Sequence, residues 1–172
     1  MERIGAFDAV SETMERMEKS GVLLVSGERG NPMTIGWGTV GIVWGRPIFT
    51  VLVRPSRCSF RFMEGTAAFT VNVMGDRYEK ELALCGSKSG REVDKVAACG
   101  FTLARGELTE APFIAESAVH YECRTVHKTN VINADLEGGI VKHYYPQGDF
   151  HRVYFGEILG VFRGSSGKAI SR

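Results

Sequence analysis

Phe7, Val10, Met14 and Met17 recur at spacings of three and four among Asp, Glu, Arg and Lys, and Gly21 follows as a left-handed stop. That pattern predicts one amphipathic helix near the start of the chain. The next apolar run, Val22 to Val25, is short and reads as a buried strand, closed by the turn-forming Gly27-Glu28-Arg29-Gly30-Asn31-Pro32. From Met33 to Trp44 the alternation is strand-like throughout. Met33, Ile35, Trp37, Thr39, Gly41 and Val43 share one face; Thr34, Gly36, Gly38, Val40, Ile42 and Trp44 share the other. Gly45-Arg46-Pro47 turns the chain into Ile48 to Val53, a β-branched strand that ends at Arg54-Pro55. Ser56 or Ser59 is expected to cap a short helix running to Gly65. Ala68 to Met74 reads as a strand, Asp76 opens a helix that stops near Gly86, and a short helix is expected at Asp94-Lys95. Ala118 to Val126 and Val153 to Phe162 are strand-like, and Glu137 to Gly148 reads as a hairpin or excursion.

Strands dominate, with one helix before them and short helices between them. This predicts a mainly β chain with short helices, folded as a closed or half-open antiparallel barrel. A doubly wound parallel sheet needs a regular strand-helix alternation that is missing. The glycines at 36, 38 and 41 are explained by barrel curvature or by the close approach of something flat. With 172 residues and 44% hydrophobic content the chain can bury one core, so a single domain is expected over 1–163, followed by a flexible polar tail over 164–172. Lys and Arg total 21 against 20 Asp and Glu, and this balance argues against nucleic acid or an anionic membrane as partner. No apolar run approaches the roughly 20 residues of a membrane span, and the start lacks the order of a signal peptide, so a cytoplasmic location is expected. Four cysteines without a CxxC read as free thiols. His120, Cys123 and His127 have ligand-like residue types, but on a strand 120 and 123 point to opposite faces, so no metal site is expected.

The most informative stretch is Asn31-Pro32-Met33-Thr34-Ile35-Gly36-Trp37, followed by Arg54-Pro55-Ser56-Arg57-Cys58-Ser59 at the end of a long strand. To these are added Phe69-Thr70-Val71-Asn72, Ser89-Gly90 and the run His151 to Ile158. In this order and spacing, roughly from residue 18 to 163, the chain resembles flavin reductase-like, flavoredoxin-type FMN-binding proteins. The resemblance implies an antiparallel, Greek-key-like split β-barrel, a homodimer and noncovalent FMN. It also implies electron or hydride transfer between NAD(P)H, or a redox protein, and an acceptor.

FMN joins a dianionic phosphate and a polar ribityl chain to a flat apolar ring, and its site must match all three. Arg54, Ser56, Arg57 and Ser59 lie where a strand turns into a helix, so guanidinium groups, hydroxyls and helix amides can converge on one anion. The same four residues also read as surface charges and helix caps. Ser87-Lys88-Ser89-Gly90-Arg91 is a second basic loop, and the resemblance carries a cofactor role to Ser89, Gly90 and Lys95. It places Asn31, Met33, Thr34, Ile35, Gly36 and Trp37 beside the ring and ribityl, although Met33 and Trp37 read equally as core. Asn72 is expected either to bind a flavin edge or to hold a turn. His151 is the candidate catalytic residue, because an imidazole titrating near neutral pH can hydrogen-bond flavin or supply a proton; many histidines only satisfy a backbone carbonyl. No Ser-His-Asp order, paired-carboxylate signature or GxGxxG occurs in a supporting context, so the chemistry would belong to the cofactor. Two alternatives stay open: an electron carrier without NAD(P)H activity, and a non-catalytic barrel that uses the pocket for another ligand or for dimerisation.

Overall fold

A computed structural model describes residues 1–164 of the chain. The polar tail expected over 164–172 therefore lies, apart from Gly164, outside the described residues. The predicted amphipathic segment forms α1 (Val10–Lys19), and it stops where Gly21 adopts φ +84° and donates to the Arg16 carbonyl at 2.8 Å. Thr13 and Met17 carry its buried face. Phe7, assigned by periodicity to the same face, precedes the helix and is exposed.

The remaining elements, in chain order, begin with β1 (Glu2–Ile4), β2 (Val22–Ser26), β3 (Asn31–Ile35), β4 (Gly38–Val43), β5 (Arg46–Val53), α2 (Cys58–Gly65) and β6 (Ala68–Val73). They continue with α3 (Glu79–Ser87), α4 (Lys95–Cys99), β7 (Leu103–Arg105), β8 (Pro112–Ile114), β9 (Val119–Asn130), α5 (Gly138–Tyr144) and β10 (Arg152–Arg163). Eight strands form one antiparallel sheet in the order β3-β2-β6-β9-β10-β5-β4, with β1 added to the far end of β10; β7 and β8 form a separate hairpin. The architecture is a mainly β, antiparallel split barrel whose open edges are β3 and β4.

All five residues of β2 are buried because the strand separates two cores. Val22 and Leu24 pack with Phe49, Val51, Phe69, Tyr121 and Tyr154 inside the barrel, whereas Leu23 and Val25 pack outward with Leu82, Cys85, Phe101 and Ile114 beneath α3 and α4. This two-sided burial explains why the run is apolar without alternation. β10 carries register shifts against β9 at Phe155/Gly156 and Ile158/Gly160, which bend the long strand around the core. A Cβ on Gly156 would overlap the Phe69 ring and come within 3.0 Å of the Cys123 Cβ. Gly156→Ala is therefore expected to lower stability by about 1–3 kcal/mol through overpacking, measured as a lower urea midpoint at unchanged slope.

Several expectations are corrected. The continuous strand from Met33 to Trp44 is broken at Gly36-Trp37, because β3 pairs with β2 and β4 pairs with β5 at opposite ends of the sheet. A Cβ on Gly38, just past the break, would stand 2.7 Å from the Thr50 carbonyl oxygen, so a glycine is required there for close approach. Neither Ser56 nor Ser59 caps α2, which begins after Arg57 with no side-chain cap. The excursion after Glu137 contains a helix, α5, whose first amides include one received by the Glu137 carboxylate. No helix among the described residues is long and apolar enough to cross a membrane.

Candidate functional site

Two adjoining cavities open where β3 ends and α2 begins, and they share Met33 and Arg57. The first, about 190 Å³, is walled by Met33 to Trp37, Leu52, Arg54, Arg57 and His151. The second, about 230 Å³, is walled by Ser56, Arg57 and Ser59 from the start of α2, by the loop from Ser87 to Glu92, and by Lys95 and Cys85. Together they make a trough in which Trp37 and His151 stand beside Arg54 and Arg57 at one end, and Lys88, Arg91 and Lys95 line the other.

The aromatic end exists because the chain leaves β3 at Ile35 and crosses the barrel mouth before re-entering the sheet as β4. Trp37 stands there half-exposed, its ring centroid 5.0 Å from those of both His151 and Tyr144. His151 is buried, and its Nδ1 lies 2.8 Å from the Tyr145 hydroxyl. Burial raises the Tyr145 pKa and keeps its hydroxyl protonated; with that hydroxyl assigned as the donor to Nδ1, the imidazole proton lies on Nε2. Burial first, and then the neighbouring Arg54 cation, lower the His151 pKa from 6.5 to about 4. His151 is thus neutral at physiological pH, in contrast to the near-neutral titration expected from its residue type.

The turn from β5 to α2 behaves differently from its sequence reading. Arg54 donates to the carbonyls of Tyr144 at 2.8 Å and Asp149 at 3.1 Å, with its guanidinium 4.9 Å from the Tyr145 ring centroid. The Ser56 amide and hydroxyl both donate to the Asp149 carboxylate, at 3.1 and 2.6 Å. These two residues, read as phosphate ligands, hold the segment from Tyr144 to Asp149 against the barrel. Asp149 itself adopts φ +57°, a conformation its two bonds to Ser56 help to hold. The Arg57 guanidinium, by contrast, has no hydrogen-bond or ion-pair partner among the described residues, and the residue faces both cavities.

At the basic end, Arg91 donates to the Ser56 carbonyl at 3.1 Å, so the loop of α3 is tied to the start of α2. Asn31 donates to the buried Ser59 hydroxyl at 2.8 Å, and a Cβ on Gly90 would overlap the Asn31 side-chain oxygen. Glycine at 90 lets the loop lie against β3. Lys95 is buried, donating to the carbonyls of Cys85 at 2.7 Å and Pro32 at 3.1 Å; burial without a carboxylate partner lowers its pKa.

The structure therefore brings Met33, Thr34, Ile35, Gly36, Trp37, Arg54, Arg57 and His151 to the first cavity, and Ser56, Ser59, Ser89, Gly90 and Lys95 to the second. Thr34 spends its hydroxyl on the Leu82 carbonyl at 2.6 Å. Asn72 lies apart and fully buried, accepting from the Ile114 amide at 2.9 Å and donating to Thr70 and Leu23, so it ties β6 to β8 and β2. Leu52 and Asp149 are site residues that sequence reasoning missed; Tyr144 and Tyr145 were read only as part of a segment that covers the pocket, contacts a second subunit or is a surface hairpin, and Arg91 only as part of the basic loop. Arg91 had a visible signal in its basic loop; Asp149 had none. Among the described residues no group of three or more His, Cys, Asp or Glu converges on one point. His120 stacks between Phe113 and Phe162, with Nε2 at 3.3 Å from Glu122.

A model of the flavin reductase like domain matches residues 14–169. The chain belongs to the flavin reductase like domain family. Among solved structures this flavin reductase-like domain is similar to flavoredoxin from Methanosarcina acetivorans, at 27% identity and a TM-score of 0.66 over 85% of this chain and 69% of that one. It also resembles an FMN-binding protein from Thermus thermophilus, solved with bound 1-cyclohex-2-enone, at 21% identity and a TM-score of 0.66 over 86% of this chain and 72% of that one. The latter likeness shows the fold. An uncharacterized protein of Aeropyrum pernix is 27% identical over 105 residues, which are 60% of this chain and 40% of that protein. The chain thus spans less than half the length of this curated relative.

Proposed function

We propose that the domain binds FMN noncovalently along the trough and passes electrons or hydride between NAD(P)H, or a redox protein, and an acceptor. The observation that carries this reading is the continuity of an aromatic cavity with a basic one through Met33 and Arg57. Their joint size lies within the roughly 300–1,000 Å³ usual for small-molecule sites. The free guanidinium of Arg57, with Lys88 and Arg91 nearby, suits a phosphate dianion. Ser59, whose hydroxyl is held by Asn31 from outside the trough, suits the ribityl hydroxyls, and the Gly36-Trp37 crossing suits a flat ring.

When bound, FMN supplies reversible uptake of hydride or electrons. The chain positions and screens. His151 offers an Nε2–H donor to the ring edge while staying uncharged, and Tyr145 fixes that tautomer. Tyr144 and Trp37, edge to face, narrow the aromatic mouth and limit which donors reach it. A homodimer is proposed on the exposed apolar surface of Ile42, Trp44 and Val126, which lie outside the core. The four free thiols fit a reducing, cytoplasmic setting.

The test is anaerobic addition of NADH and then NADPH to the FMN-loaded domain, followed by visible absorption. Bleaching of bound flavin by at least one nucleotide is the expected result. Flavin that bleaches only with a reduced redox protein would select the carrier instead, and failure to bind FMN would contradict the reading.

A further inference from the structure

Four cysteines are free, and two of them are neighbours: Cys85 on α3 and Cys99 on α4 stand with their sulfurs 3.8 Å apart. We propose that Cys85 and Cys99 are a reversible oxidation site, a dithiol that closes to a disulfide and so reshapes the loop at the basic end of the trough. The sulfurs need to approach by about 1.8 Å to reach the roughly 2.05 Å of a bond, a shift that two short helices joined by a loop can make.

The asymmetry of the pair sets the order of events. Cys85 is buried against the second core, while Cys99, at the last residue of α4, is partly exposed. Burial pushes the Cys85 thiol up to about 12 and raises that of Cys99, so both rest as thiols at neutral pH. A peroxide reaches Cys99 first, leaving a sulfenic acid and one water. The Cys85 sulfur then displaces the sulfenic oxygen as a second water, forming the S–S bond. Two thiols thereby give up two electrons, and the peroxide takes them. A dithiol reductant reverses the step.

The site is coupled to the trough by geometry. The segment between the two cysteines holds Ser89, Gly90, Arg91 and Lys95. Cys85 also faces the second cavity, and its carbonyl receives one of the two hydrogen bonds that hold Lys95. Drawing α3 towards α4 therefore disturbs the Lys95 anchor and the packing of the Gly90 loop against Asn31. This coupling rests on the flavin reading; the disulfide itself does not.

The test treats the full chain with hydrogen peroxide, counts free thiols, maps the peptides and titrates FMN into both forms. Closure leaves two of the four thiols, removes two hydrogens in mass, links the peptides of Cys85 and Cys99, and is reversed by reductant. Cys99→Ser should keep FMN binding and abolish the link, and Cys58→Ser should leave the link intact. Sulfinic acid on Cys99 beside a free Cys85, or a link through Cys58, overturns the proposal. The oxidised form is expected to bind FMN roughly tenfold more weakly, the scale of a typical coupling between sites. Equal affinity of the two forms overturns the coupling while the disulfide stands. No binding by either form contradicts the flavin reading itself, and the coupling with it.

Discussion

Arg57→Ala weakens FMN binding by roughly ten- to a hundredfold, the cost of one or two charge-assisted hydrogen bonds to the phosphate. Arg57 is singled out because it faces both cavities and its guanidinium makes no hydrogen bond or ion pair within the described chain, whereas that of Arg54, three residues earlier, is already committed to the Tyr144 and Asp149 carbonyls. Arg57→Lys keeps the charge but loses the planar fork, so its affinity falls between wild type and alanine. Arg54→Ala instead frees the segment from Tyr144 to Asp149, and shows more protease cleavage there before any loss of phosphate recognition. Quenching of FMN fluorescence during titration reads the affinities. An unchanged value for Arg57→Ala removes this residue from the site.

Acidification from pH 6.5 to 4.5 costs the domain roughly 2 kcal/mol through His151 alone. The sign follows from the direction of its shift. The folded protein holds the imidazole near 4 and the unfolded chain near 6.5, so the unfolded state binds the proton first. Stability is complete above pH 6.5 and is lost as the pH falls towards 4. Carboxylates held low in the folded state, Glu64 by Tyr154, Lys128 and Arg152, and Glu122 by His120 and two amides, begin to add their own losses about one pH unit above their ordinary 4.5 and lose most of their contribution below it. The upper part of the window, from pH 6.5 to about 5.5, therefore reports chiefly on the histidine. His151→Gln, which still accepts from Tyr145, should flatten the urea midpoint across that window while acid unfolding below it persists. A midpoint in the variant that falls as steeply as in wild type would remove His151 as the source. Because the ring is neutral at pH 7, the same variant should slow turnover modestly rather than abolish it.

The parts of this fold that were legible from sequence are those set by local physics. Gly21 needs its positive φ wherever α1 ends, and the β-branched run Ile48 to Val53 forms a strand whatever its partner. The break at Gly36-Trp37 was not legible, because a two-residue alternation continues unchanged across it; only the pairing of β3 with β2 and of β4 with β5 separates the two strands. The three-residue β1, β7 and β8 owe their existence to the strands they meet and carry too little pattern of their own. In the site, residue type pointed to a phosphate at the β5–α2 turn. The anion beside Ser56 is Asp149, 93 residues later, and no spacing rule connects the two. Asn72 shows the same limit: its residue type announces hydrogen bonding, but register with Ile114 decides that it serves the sheet.

The proposed binding mode sets the phosphate against Arg57 and the loop from Ser87 to Arg91, and the ring against Trp37 and His151. A crystal structure of the chain grown with FMN measures it directly. The predicted result is a phosphate within hydrogen-bond distance of the Arg57 guanidinium, a ring edge within reach of His151 Nε2, and Asp149 still bonded to Ser56. A phosphate that displaces Asp149 to bind Ser56 and Arg54, or a flavin outside the trough, would contradict it.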